Sequence, residues 1–367
     1  MTTGAPGGPG SSGGTGRIFG FGVVGCGVIA PHHARAVASL GNARLVAATD
    51  VVAEKAQAYA TTNGCEVAAD LDALLARDDV DVVSVCVPSG LHAEVGVRAA
   101  EAGKHLVVEK PIDVSLAAAD RLIAAVAGAG VSMTVISQHR FDSGFVELRK
   151  LLDDGKLGRL VLGDAKVKWY RSQAYYDSGE WRGTRALDGG GALMNQGVHY
   201  TDMLRWTMGP VTEVTAICVN QMHEMEVEDV ALALLRFESG AVGSLEASTA
   251  VFPGMPERLE LSGTGGTAVI ENGELIVTEL MAERGDIGAY GAKAASSGPT
   301  AGSASAEPTA IGTDAHASQI ADLLAAIEEG RPPLVTGTEA RKALEVVCAV
   351  YASAERGATV HLPLEAS

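Results

Sequence analysis

From Arg17 onward, short apolar runs rich in β-branched residues alternate with stretches whose apolar positions recur at helical spacing. "IFGFGVV" (Ile18–Val24), "RLVAATD" (Arg44–Asp50), "DVVSVCVP" (Asp81–Pro88), "HLVVEKP" (His105–Pro111) and "SMTVIS" (Ser132–Ser137) read as strands, with alanine-rich helices between them. Strands that are apolar on both faces and separated by helices make a parallel sheet covered on both sides. The expectation is a doubly wound α/β domain over residues 17–138.

After a helix around Phe145–Leu152 the period changes. "LVLGDAKVKWY", "VTEVTAICVN", "VALALLRFES", "AVGSLEAST", "RLELSG", "TAVIEN" and "ELIVTEL" are strand-like and follow one another across tight turns. Strands in succession predict an open, mostly antiparallel sheet, so residues 139–367 read as a second, α+β domain. Two amphipathic helices close the chain, the second opening on a capping-box spacing from Thr336 to Glu339. The Gly/Ala/Ser-rich stretch 289–308 reads as a flexible loop. Residues 1–16 read as a disordered tail, with neither the basic region nor the apolar run of a secretory signal. No later stretch has the apolar length of a membrane span.

Composition narrows the partners. The chain has 367 residues, 47% hydrophobic and 20% charged, which suits two soluble domains better than one core. Its net charge of -17 argues against a nucleic-acid or anionic-membrane surface, because phosphates would be repelled. An acidic substrate stays open, since a few local arginines can dominate a pocket. The five cysteines are widely spaced and form no C-x-x-C, so neither a disulfide framework nor a zinc site is signalled. A reducing, cytoplasmic setting fits.

Candidate chemistry begins directly after the first strand. In "VVGCGVIAPHHARA", Gly25 permits a tight turn, Gly27 lets a pyrophosphate approach the backbone, and Val28 and Ile29 lead into a helix whose free N–H groups face the ligand. An acidic residue, Asp50, ends the second strand about 20 residues on, as a dinucleotide fingerprint requires. A carboxylate there accepts ribose hydroxyls and repels the extra phosphate of NADP, so NAD is favoured. "VPSGLH" follows the fourth strand, placing Pro88, Ser89 and His92 at the ligand edge of the sheet. "VVEKP" puts Glu109 and Lys110 at the end of the next strand, both pointing into the cleft. A lysine beside a cationic nicotinamide has its ammonium disfavoured, which makes it a workable proton donor. Later, "LDGGGALMNQGVHYTD" (Leu187–Asp202) runs a triple glycine into a helix-like stretch with Asn195 and His199 four residues apart, hence on one helical face. His199 and Asp202 could suggest a metal, but no third ligand accompanies them, and none is expected.

Together, "GCGVIAPHHARA", "EKP" and "GGGALMNQGVHYTD" resemble the glucose–fructose oxidoreductase / inositol dehydrogenase (Gfo/Idh/MocA) family, over nearly the whole chain from residue 17. The resemblance implies a Rossmann domain followed by a substrate-binding domain whose exposed sheet face makes homodimers or homotetramers. It implies a catalytic lysine at Lys110, a cis peptide before Pro111 and a catalytic histidine at His199. Many relatives carry aspartate where this chain has Asn195. An amide cannot support an imidazolium, so His199 is expected to be a weaker base, with Asn195 bonding the substrate. The "NQGVH" context resembles dehydrogenases that oxidise the third ring hydroxyl of UDP-linked amino-sugar acids.

The segment "WYRSQAYYDSGEWRGTR" supplies Arg171, Tyr175, Trp181 and Arg182 as candidates to grip a sugar and an anionic group. The expected activity is NAD-dependent oxidation of a secondary hydroxyl on a carbohydrate or cyclitol. Its rivals are a non-catalytic, dinucleotide-dependent sugar sensor and an aldose–aldose oxidoreductase that retains NADP. The proton-transfer pair argues against the first, and Asp50 against the second.

Overall fold

Six strands, β1 (Phe19–Val24), β2 (Ala43–Thr49), β3 (Glu66–Val67), β4 (Val82–Val85), β5 (His105–Val108) and β6 (Met133–Val135), form one sheet in the order β3-β2-β1-β4-β5-β6. Every pair is parallel. The central strands β1 and β4 are buried along their full length, which is why their sequences show apolar runs without alternation. The order reverses between β1 and β4. Ligands of such sheets bind at this reversal, beyond the carboxyl ends of the strands, and Gly25, Pro88 and Lys110 all follow strands that end there. The computed structural model describes residues 16–281 and 313–364. The expected tail, apart from residue 16, and the loop at 289–308 lie outside the described residues.

The second sheet holds β7 (Leu160–Lys168), β8 (Val211–Val219), β9 (Val230–Phe237), β10 (Val242–Ser248), β11 (Arg258–Gly263), β12 (Gly266–Glu271), β13 (Glu274–Leu280) and β14 (Val360–His361). Its order is β13-β12-β11-β7-β10-β9-β8-β14, antiparallel except where β10 runs parallel to β7. Burial alternates along β9, with Ala231, Ala233, Leu235 and Phe237 inside and Leu232 and Leu234 outside. Helices Val198–Met208 and Gly337–Arg356 bury their apolar faces in the same core as those inner residues.

Three details depart from the sequence reading. The helix Thr313–Glu329 packs on the parallel sheet, where Ile320, Leu323 and Leu324 meet Phe19, Phe21, Val82 and Val107. Thr336 does cap its helix by accepting from the Glu339 amide, but Glu339 does not reciprocate; its carboxylate takes Arg205 and Lys342 instead. The stretch after the triple glycine is a π-helix over Ala192–Gly197 that passes into the α-helix Val198–Met208.

Candidate active site

The turn after β1 depends on glycine. Gly25 has φ +90°, and a Cβ there would lie 2.7 Å from the Cys86 carbonyl oxygen. In front of Gly27 a Cβ would meet nothing within 4 Å, so the backbone there is open to a ligand's close approach. Val28 is 64% exposed and Ile29 half-buried at the start of the helix Ala30–Ser39, whose first turn carries no acidic residue. Free N–H groups without a competing carboxylate suit a pyrophosphate. Asp50 is half-buried, and its two oxygens accept the amides of Cys26 (2.7 Å) and Val52 (2.8 Å). Each carboxylate oxygen keeps a second lone pair, so it can still accept a ribose hydroxyl. These residues fit a dinucleotide. Pro88 is half-buried and Ser89 buried at the end of β4.

Lys110 lies at the end of β5 beside a cis Lys110–Pro111 peptide. Its Nζ donates to the Asn195 backbone carbonyl at 2.9 Å and to Asn195 Oδ1 at 3.3 Å. Asn195 Nδ2 donates in turn to Asp188 Oδ1 at 2.8 Å, and Asp188 Oδ2 accepts the Gly183 amide. A carboxylate only accepts, so the amide must present Nδ2 to Asp188 and Oδ1 to the ammonium. Asn195 thereby holds Lys110, and its second Oδ1 lone pair and second Nδ2 N–H remain for the substrate contact that the sequence reading gave it. Asp188 escaped that reading. It lies seven residues before Asn195 and looks like a loop residue, yet it is 2% exposed and supplies the carboxylate that position 195 lacks.

Burial holds Lys110 below the ordinary lysine pKa, opposed by Glu109 and Asp188. Burial likewise raises the Asp188 carboxyl. His199 is half-buried, and no group among the described residues hydrogen-bonds its ring. Burial first, then the Lys110 ammonium, then His139 hold it well below 6.5. His139 meets it edge-on, with ring centroids 5.2 Å apart. Burial would push His139 down as well, but the Asp142 carboxylate at 2.6 Å reverses that and raises it. Asp202 makes no hydrogen bond to His199. Asp202 is taken up by Arg140 and Ser137.

The π-turn that carries Asn195 is fixed from outside. A Cβ on Gly191 would sit 1.7 Å from the Glu228 carbonyl oxygen, so only glycine fits. The buried Glu228 carboxylate accepts the amides of Gly191 (3.0 Å) and Leu193 (2.9 Å) and the Tyr351 hydroxyl (2.9 Å). These satisfy N–H groups that a helix start leaves orphaned.

Of the aromatic and arginine candidates, Arg182 donates to the Tyr175 hydroxyl at 2.7 Å and packs over the rings of Tyr175 and Trp181. Gln196, beside Asn195, reaches the same hydroxyl. Arg171 is buried between Trp169 and Tyr175 and bonds the Tyr170 carbonyl, so it supports the aromatic platform from behind rather than facing the cleft. A concavity of about 280 Å³ opens at Arg182, lined also by Tyr176, Glu180, Glu224 and Met225; Lys110 and His199 do not line it.

Two further expectations are corrected. Glu109 does not face the cleft: it is 5% exposed and binds His33 Nε2 at 2.9 Å. His92 is 1% exposed, with both ring nitrogens against the carbonyls of Pro111 and Val87, so it braces two cofactor-side turns and offers a ligand nothing. His33, Glu109 and His316 converge, a grouping of metal-ligating residue types that the sequence reading did not find. Among the described residues no helix is long and apolar enough to cross a membrane.

Residues 19–137 match the family model for the oxidoreductase family with an NAD-binding Rossmann fold, and residues 145–269 match that for the GFO/IDH/MocA C-terminal domain. The chain is 28% identical over 338 residues to inositol 2-dehydrogenase of Rhizobium meliloti (strain 1021), covering 91% of this chain and 96% of that one. It is 30% identical over 262 residues to 2,7-anhydro-N-acetylneuraminate hydratase of Mediterraneibacter gnavus, covering 70% and 68% respectively. The WlbA dehydrogenase of Bordetella pertussis, solved in complex with NADH and UDP-GlcNAcA, superposes with a TM-score of 0.84 at 30% identity, over 95% of this chain and 99% of that one. The glycine turn, the Lys110–Asn195 contact and both matched domains lead to one conclusion: this chain belongs to the GFO/IDH/MocA family of NAD-binding oxidoreductases.

Proposed function

We propose that this oxidoreductase moves a hydride between NAD and a carbon bearing a secondary hydroxyl on a sugar, sugar nucleotide or cyclitol, with Lys110 and His199 as its catalytic residues. The observation that carries the reading is a half-buried, unpartnered imidazole under the influence of a lysine fixed by Asn195. NAD, when bound, supplies the hydride acceptor. His199 is neutral and accepts the hydroxyl proton. Lys110 donates a hydrogen bond to the same oxygen and stabilises its developing negative charge. Asn195 and Asp188 hold Lys110, while Tyr175, Trp181 and Arg182 present an aromatic and cationic wall to the sugar. The carbon loses hydride and the oxygen loses a proton, leaving a ketone.

Nicotinamide absorbance on mixing protein and NAD with inositols, anhydrosugars and UDP-linked sugars tests this. Turnover with at least one member is expected, and none across the panel would sink the reading. NADP in the same assay is expected to give a kcat/KM about 10-fold lower or worse, since a phosphate beside Asp50 costs at least about 1.4 kcal/mol. Equal use of both cofactors would remove that role from Asp50.

The depressed pKa of His199 has a signed consequence. The ring stays neutral until pH falls well below 6.5, so the acid limb of kcat/KM is expected below that value. A limb at or above pH 6.5 would place the essential base elsewhere.

We also infer that the open face of the second sheet is covered by another copy of the chain. Ile217 and Leu232 are directly opposite across β8 and β9, as are Leu162 and Val242 across β7 and β10. All four, with Leu234 at 67%, are exposed on strands that adjoin one another. Exposed apolar side chains gathered on one sheet face, interleaved with Arg236, Ser244 and Glu246, mark an association surface. Leu234→Glu is expected to shift the protein from oligomer to monomer in sedimentation velocity. A wild-type monomer at micromolar concentration would end the idea.

A further inference from the structure

Next to Lys110 in the chain, at Glu109, three segments far apart in sequence bring metal-binding side chains together. His33 comes from the helix after the glycine turn, Glu109 from the end of β5, and His316 from the helix Thr313–Glu329. Their exposures are 0%, 5% and 1%. One ligand atom from each lies within 4.8 Å of the other two. His33 Nε2 is 2.9 Å from Glu109 Oε1, and His316 Nε2 is 3.9 Å from that same oxygen. The His316 ring stands at 5.9 Å from that of His33 and 6.3 Å from that of His32.

Two facts set this cluster apart from an ordinary buried ion pair. First, the Nδ1 atoms of His32, His33 and His316 are all buried without a hydrogen-bond partner. These are not the nitrogens beside Glu109, which are the Nε2 atoms of His33 and His316, so as neutral imidazoles protonated at Nδ1 both rings present an Nε2 lone pair to a ligand. Second, an ion pair between His33 and Glu109 gives His316 no role, although its Nε2 makes no hydrogen bond and lies near the carboxylate. Zinc binds histidine nitrogen and carboxylate oxygen at about 2.0–2.2 Å, which puts tetrahedral ligand atoms about 3.3 Å apart. The observed 2.9 and 3.9 Å bracket that spacing. Two imidazoles and one carboxylate select zinc-like transition metals over magnesium or calcium, which take oxygen.

We propose that His33, Glu109 and His316 bind one divalent transition-metal ion of the zinc class, which ties the helix Thr313–Glu329 to the glycine-turn helix and to the strand end that carries Lys110. The ion is structural. It needs no part in the proton transfer, which is given to His199. Fixing Glu109 fixes the backbone of its neighbour, because Glu109 Oε2 also accepts the Lys110 amide at 3.1 Å. The metal thus tethers a helix from the end of the chain to a strand end in its first third, a link no local motif encodes.

The test uses the full chain, stripped with chelator and titrated with cobalt(II), whose visible bands report coordination, then with zinc(II). One equivalent is expected to bind, with tetrahedral or five-coordinate cobalt bands that zinc abolishes. The unfolding midpoint is expected to rise by about 5 °C or more at a hundredfold excess over Kd. His316→Ala should lose the bands and the shift while keeping its circular dichroism. If that variant does not fold, His316→Gln, which keeps the volume and removes the imidazole, replaces it. No bands from the wild type, weak binding at several sites only, or full binding by a folded His316 variant each overturns the proposal.

Discussion

Lys110→Ala is expected to lower kcat by about 10²–10³-fold, the range for losing a donor that stabilises developing negative charge on oxygen, with NAD affinity nearly unchanged. The asymmetry follows from where the side chain points. Its ammonium donates to the carbonyl and amide oxygens of Asn195, on the C-terminal half of the chain, and none of its recorded bonds involves the glycine turn. Steady-state kinetics with an active substrate and a separate NAD titration check the two halves of the statement. Lys110→Arg is informative beside it. A guanidinium is longer and planar and cannot sit where the compact ammonium does, so it too should fall steeply despite keeping the charge. If Lys110→Ala retains kcat within a factor of three, the charge on the oxygen is stabilised elsewhere and the proposed mechanism fails.

The second large effect is on stability. Glu228→Ala is expected to destabilise the chain by about 3–5 kcal/mol, because it strands the buried amides of Gly191 and Leu193 and the Tyr351 hydroxyl together. Glu228→Gln separates shape from chemistry. It keeps the volume but turns an NH₂ group toward a backbone N–H, so most of the loss should remain. Tyr351→Phe removes a single hydroxyl that bonds both Glu228 and the Met194 amide, and should cost less, about 1–2 kcal/mol. Denaturant unfolding of the three variants measures the order. A wild-type-like Glu228→Gln would mean the carboxylate does not hold the π-turn. The turn carries Asn195, so any of these variants that folds should also show weaker positioning of Lys110.

Sequence patterning was strongest where one local cause dominates. The apolar runs of β1 and β4 could only be strands buried on both faces, and the alternation along β9 could only be a half-buried one. The glycine turn was legible for the same reason, since Gly25 needs a positive φ and must follow a strand. Reading failed where contact depends on a third segment. Asp188 gave no signal because its importance comes from an amide that a wide π-turn rotates toward it. Glu109 was misread as facing the cleft because nothing near it in the chain reveals that His33 lies within hydrogen-bond reach.

The amino-acid order alone therefore determined the two sheet types, the phosphate-facing turn and the presence of a lysine, an amide and an imidazole at fixed positions. Periodicity and backbone preference are short-range, and they carry that much. Only the tertiary structure decided which carboxylate supports Asn195, which way its amide faces, why His199 is kept neutral, and that a helix from beyond residue 312 closes the first sheet. Those outcomes rest on burial and on through-space contacts between segments far apart in the chain, which arise only when the chain folds.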